Sequence, residues 1–257
     1  MHTLSSVEIA ALVLTALAAG TVDAIAGGGG LLTLPALLAV GLPPHLAIAT
    51  NKGQAVFGAF TALVSFGRAG ALDRKRALVT FPLGLLGSLA GASLVLLVAP
   101  SVLRPLVIVL LVSAAAFVAT RRAPAAGRAR PVARRAAVIA GAIALVIGAY
   151  DGFFGPGTGT FLIVAFVALL GDSLTRATAE AKVVNFASNL AAVLLFARQG
   201  LVHWDVALPM AVAQLAGGAI GARIAVRGGD RVIRRVVLAV VAALCAKLAW
   251  DLWHAGG

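Results

Sequence analysis

Most of the residues able to do chemistry lie in two short stretches that share one pattern. Asp23 stands four residues before Gly27, and Gly28, Gly29, Gly30 and Thr33 follow; Asp151 stands four residues before Gly155, and Gly157, Thr158, Gly159 and Thr160 follow. Each stretch interrupts a long apolar run, and each is followed by a short apolar segment and then a polar cluster. The first cluster is Thr50, Asn51, Lys52 and Gln54; the second is Glu180, Lys182, Asn185, Ser188 and Asn189. Lys182, Asn185 and Asn189 are spaced i, i+3 and i+7, which sets them on one face of a helix. A glycine-broken apolar segment at matching places in two halves of a chain points to a transporter's binding site.

The chemistry expected there is anion binding. A helix that restarts after a glycine break presents free N–H groups at the positive end of its dipole, a ready site for a negative ligand. Broken backbone inside a bilayer is tolerated only where it faces protein or a wet cavity. Tight helix packing is the plainer use of such glycines, but the neighbouring acids and hydroxyls favour a site. Lys52 and Lys182 would add charge, and the amides of Asn51, Gln54, Asn185 and Asn189 neutral hydrogen bonds. Burying a lysine at mid-membrane costs roughly 2.5–3.5 kcal/mol, so each needs a partner or ligand, unless it sits near the interface and snorkels. Three readings stay open for Asp23 and Asp151: cap of the following helix, salt-bridge partner of Lys52 and Lys182, or proton carrier. Capping is disfavoured by the four-residue spacing. Glu180 is a third proton-coupling candidate. It shares no face with Lys182, two residues on.

These residues must be held by membrane helices. The chain has 257 residues, 61% of them hydrophobic and 12% charged, with a mean hydropathy of +1.04; soluble domains carry about 25% charged residues. Membrane segments are expected over 7–26, 46–66, 77–98, 103–119, 136–154, 174–197, 206–226 and 232–253. Two shorter ones, 31–40 and 161–170, reach only about halfway across a bilayer. The prediction is an all-α integral membrane protein built as two five-segment inverted repeats, each with a Gly-broken helix hairpin. The first repeat is 1–120, a basic cytoplasmic linker is 121–135, and the second repeat is 136–257. Phe66 recurs as Phe196, Arg68 as Arg198, and Gly70 as Gly200. Gly87 and Gly91 recur as Gly217 and Gly221, a small-xxx-small spacing that predicts close helix crossings. The register between the two polar clusters is uncertain by one residue: either Lys52 or Asn51 is the counterpart of Lys182.

Charge decides the topology. If each glycine-broken pair enters and returns, the basic loops 67–76, 121–135 and 227–235 share one side, the cytoplasm, and both termini lie outside. Trp204, Trp250 and Trp253 fit interfacial anchors. The formal charge of +12 is explained by those loops, and no basic face interleaved with aromatics is present to bind nucleic acid. Cys245 sits in an apolar run with no partner for a disulfide, and no basic region precedes the first segment as a cleaved signal would need. His2, His45, His203 and His254 have no metal-ligand spacing, so neither a metal nor any other cofactor is expected. Nucleotide-binding loops and catalytic motifs are missing, which argues against an enzyme. An anion channel is the rival reading, marked by a flux that neither saturates nor answers a pH gradient.

Gly20, Asp23, the run Gly27–Gly30 and Pro35, together with Ala49, Thr50, Asn51 and Lys52, resemble the sulfite exporter TauE/SafE family of membrane permeases; so does the second-half run from Tyr150 to Gly159. The likeness covers nearly the whole chain. It implies transport of small, often sulfur-containing anions such as sulfite, sulfoacetate and related sulfonates across a bacterial inner membrane. Glu180 stands where the first half has Thr50 and makes the site asymmetric. The expected partners are thus a small anion and the lipid bilayer; a homodimer is compatible with the sequence.

Overall fold

A computed structural model describes residues 4–120 and 132–255. The linker residues 121–131, His2, and the side chains of Cys245, Trp250, Trp253 and His254 lie outside the described residues.

All regular structure among the described residues is α-helical. The order is α1 (Ser6–Ala26), α2 (Gly30–Ala39), α3 (Pro44–Arg68), α4 (Arg74–Leu97), α5 (Pro100–Thr120), α6 (Ala133–Phe153), α7 (Thr158–Leu170), α8 (Leu174–Arg198) and α9 (Trp204–Ala255). Helix α9 is broken at Gly229 (φ 56°, ψ −159°), close to the expected join of two segments. Six of these helices are long and apolar enough to cross a membrane. α3 is as long as α8 but carries Thr50, Asn51, Lys52 and Gln54, and falls outside that set. α2 and α7 are the two short apolar helices.

Local chemistry sets the ends. Ser5 and Glu8 form a reciprocal capping box on α1, Pro44 occupies the first turn of α3, and Asp73 and Ser173 cap α4 and α8. α7 begins at Thr158, three residues earlier than hydropathy suggests, because polar Thr158 and Thr160 are helical and buried.

The closest crossings are reciprocal. α4 packs on α6 through Gly87 and Gly91, where an added Cβ would strike the carbonyl oxygens of Leu145 and Ala149. α1 packs on α9 through Gly217 and Gly221, where it would strike those of Leu17 and Thr21. Lipid gives helices no hydrophobic drive to associate, so this backbone-to-backbone approach supplies the contact.

The core divides into two apolar clusters. One gathers Leu12, Leu42, Ala47, Ala92, Val95, Leu103 and Phe196, with Leu4 packed against it. The other gathers Phe66, Ala140, Leu170, Leu174, Ala177, Ala222, Ala225 and Ile233, with Leu72 and Ala136. Matching positions of the two halves fall in opposite clusters: Phe66 and Phe196, Ala47 and Ala177, Ala92 and Ala222, Leu103 and Ile233.

Leu4 and the α2–α3 turn Gly41–Pro43 line one common cleft with His203, so the chain enters through α1 and returns through α2. The α3–α4 loop, the α7–α8 loop and the Gly229 break meet at the other end. There Arg76 pairs with Asp172, Arg176 pairs with Asp73 (2.5 Å), and Asp230 accepts the N–H groups of Leu174 (3.1 Å) and Thr175 (2.8 Å).

Candidate functional site

The two glycine breaks meet backbone to backbone. α1 closes with the Gly27 N–H on the Asp23 carbonyl (2.9 Å). Positive φ at Gly27 (74°) and Gly28 (92°) then reverses the chain into α2, a turn that a side chain would strain. Gly155 (φ 101°) and Gly157 (φ 86°) do the same between α6 and α7. A Cβ on Gly27 would overlap the backbone of Gly159 and Thr160, and the Thr160 hydroxyl donates to the Ala26 carbonyl at 3.0 Å.

Each lysine neutralises the acid of the other half. Lys52 of α3 pairs with Asp151 of α6 at 2.7 Å, and Lys182 of α8 pairs with Asp23 of α1 at 2.8 Å. The lysines are 1% and 0% exposed, which removes the snorkelling alternative. The matching partners also align Lys52, rather than Asn51, with Lys182. Asp151 accepts further from the Thr158 hydroxyl (3.0 Å) and the Ser188 hydroxyl. Asp23 accepts from the Gly29 N–H at 3.1 Å. Capping, disfavoured on spacing, therefore accompanies the ion pair at Asp23, because the left-handed turn folds Gly29 back over the last turn of α1.

Between the breaks lies a cavity of about 40 Å³, roughly three water positions at about 10–15 Å³ each. Gly28, Gly29, Gly30 and Thr33 form one wall; Gly155, Gly157, Thr158 and Gly159 form the facing one. Asn51, Lys52, Asn185 and Asn189 enter from α3 and α8, with Asp23 and Asp151 at the helix ends. Two lysines and two aspartates cancel, so the site is electrically balanced yet rich in donors. The side-chain amide oxygens of Asn185, at the cavity, and of Gln54, behind it, are buried without a protein donor, the condition in which a water or another donor is expected.

Several candidates do not reach the wall. Gly27 is spent on the contact with Gly159. Gln54 stands behind Asn51, donating to its Oδ1 at 2.9 Å, while the Thr33 hydroxyl donates to the same atom at 2.6 Å. Lys182 stands behind Asp23, its ammonium also donating to the Asp23 carbonyl at 2.5 Å. Thr50 faces away and accepts the His203 N–H at 3.0 Å. Glu180 neither reaches the cavity nor touches Lys182. It accepts the Asp73 N–H at 2.7 Å among the charges of the α3–α4 and α7–α8 loops. Sequence reasoning passed over Gln214 of α9, which lines the cavity, and gave no role to Ser188 of the second polar cluster, which donates to Asp151. The signal for Gln214 was a lone amide inside the apolar run 206–226.

A helical membrane body with a buried polar pocket between two interrupted helices defines a membrane transporter. Residues 12–248 match the profile of the sulfite exporter TauE/SafE family, and the chain belongs to that family. It is 37% identical over 248 residues to the probable membrane transporter protein YfcA of Escherichia coli (strain K12), covering 96% of this chain and 91% of that protein. It is 36% identical over 247 residues to the probable membrane transporter protein ORF9 of Sinorhizobium sp, covering 96% and 94%. A probable membrane transporter protein of Haemophilus influenzae is 35% identical over 234 residues, with 91% of each chain covered. No solved structure matches the chain.

Proposed function

We propose that this transporter moves small anions, sulfur oxyanions or organosulfonates such as sulfite or sulfoacetate, by alternating access with proton coupling. The observation that carries the reading is the direct meeting of the two glycine breaks around a donor-lined cavity braced by two cross-paired lysines. The α2 and α7 N-termini face one space, and their dipoles favour a negative guest there. Its volume, about three water positions, is on the scale of a small oxyanion such as sulfite, and a longer organosulfonate such as sulfoacetate requires the space to widen as access alternates. Substrate contacts would come from Gly28–Gly30, Gly155, Gly157, Thr158 and Gly159, from Thr33, Asn51, Lys52, Asn185 and Asn189, and from Gln214. Gln54 and Lys182 act one layer behind.

The repeats are read as inverted, because counterparts fall in opposite apolar clusters and the close crossings are reciprocal. Such repeats alternate access by rocking about a central site. The basic loops 67–76 and 227–235 gather at one end, which is read as cytoplasmic on the positive-inside rule, with the N-terminus outside and the family's bacterial inner membrane as the location. The test is uptake by purified protein in proteoliposomes, comparing sulfite, sulfate and alkanesulfonates with and without a proton gradient. Saturable, gradient-driven uptake that is lost in Asn51→Ala and kept in Thr50→Val is expected. A non-saturating flux indifferent to the gradient would establish a channel instead.

A further inference from the structure

The two lysine-paired acids are not equivalent, and the difference assigns them different tasks. Asp151 is 4% exposed at its side chain and satisfied by three donors, Lys52, Thr158 and Ser188. Protonating it would weaken more hydrogen bonds than at Asp23, and its side chain has little exposed surface through which water could replace them. Asp23 is 27% exposed at its side chain and lines the cavity. It has one donor on each oxygen: the Gly29 N–H on Oδ1 and Lys182 on Oδ2. Lys182 keeps a second acceptor in the Asp23 carbonyl oxygen, so its ammonium stays held if the carboxylate is neutralised.

The Asp23 carboxylate therefore occupies the place of an anion at the start of α2. The cavity beside it is lined by Asn185, 4% exposed, whose amide nitrogen lies against Gly159 and whose amide oxygen finds no protein donor. We propose that Asp23 is the proton-coupling residue, and that its carboxylate and the transported anion are mutually exclusive occupants of the α2 N-terminus. This rests on the anion-transporter reading above. Asp151 is the permanent counter-ion of Lys52, and Glu180, which is fully buried on Asp73 away from the cavity, takes no part.

The balance is simple. A proton from water on the open side converts the Asp23 carboxylate to the acid and releases the Gly29 N–H toward the cavity. The charged groups facing Asp23 are Lys182 from α8 and, across the cavity, Lys52 from α3 and Asp151 from α6. The walls from α2, α7 and α9 are neutral, and Arg223 of α9 is exposed and not part of the cavity. The four-charge set sums to zero before protonation and to one positive charge after it. A monovalent anion returns it to zero, so one proton and one anion cross together without net charge.

Methanesulfonate is the probe, since its own charge does not change with pH. Wild-type affinity should fall about tenfold per pH unit once Asp23 is deprotonated, because one proton is linked to one anion. Asp23→Asn should bind with no pH slope and exchange anion across the membrane, without proton-driven accumulation. A flat wild-type profile, or an Asp23→Asn variant that keeps the wild-type slope, overturns the assignment. Asp23→Glu provides the check if the asparagine variant does not fold: it must move the pH at which affinity begins to fall, and an unmoved onset overturns the assignment too. A wild-type protein that neither binds nor moves any of the anions refutes the anion-substrate reading itself.

Discussion

Replacing Lys52 by Met leaves the Asp151 carboxylate, 4% exposed, with two hydroxyl donors and no counter-charge. Breaking a buried pair from one side costs about 3–5 kcal/mol, since the remaining charge cannot reach water. Asp151→Leu strands the Lys52 ammonium in the same way. The double variant Lys52→Met/Asp151→Leu removes both charges. Its hydroxyls keep partners, because the single proton of Thr158 can go wholly to the Gly155 carbonyl (2.6 Å) and that of Ser188 to the Asn185 carbonyl (3.1 Å) once Asp151 is gone. An apolar pair of similar volume is often neutral, so the double variant should be more stable than either single one. Chemical unfolding in mixed micelles, followed by tryptophan fluorescence, reads the cycle, and anion uptake should be lost in all three. If each single change costs under about 1 kcal/mol, or the double equals their sum, the pair is not the uncompensated buried bridge described here.

Two other perturbations test the frame around the site. Gly91→Ala drives a methyl into the Ala149 carbonyl at the α4–α6 crossing and should cost about 1–3 kcal/mol, read as a lower melting temperature in detergent; an unchanged melting temperature would mean the helices cross elsewhere. At the charged end, partial burial pushes the Asp73 carboxyl up, but the Arg76 N–H and the Arg176 and Arg76 guanidinium groups outweigh it and hold it below its ordinary 3.8. A depressed folded-state value means that Asp73 stabilises the fold above pH 3.8 and loses this effect as pH falls through its lower folded value. Asp73→Asn should thus be less stable than wild type at neutral pH, with the gap closing below pH 3.8; a gap that stays constant to lower pH would contradict the Arg176 pairing.

The helices were legible because a bilayer offers the backbone no partner but itself, so hydropathy and length nearly suffice. Expected edges fall within three residues of the observed ones, and Gly229 breaks α9 near the place where composition separates two segments. Much of the lining of the candidate cavity was legible too, since glycine, acid and lysine in an apolar chain are costly and mark themselves. What misled was orientation. Thr50 is adjacent to Asn51, yet one helical step turns it to the His203 loop. Glu180 is two residues from Lys182 and serves the α4 cap instead.

By itself, the sequence determined that the chain is a helical membrane protein with two polar interruptions and a lysine in the polar cluster after each, because each of those facts rests on local composition and spacing; that both lysines are buried was decided by the structure. Only the tertiary structure decided that Lys52 answers Asp151 and Lys182 answers Asp23, that the two interruptions touch, and that Gln214 joins them. Those pairings link residues far apart in the chain, and a buried charge takes whichever partner the packing of distant helices brings within reach.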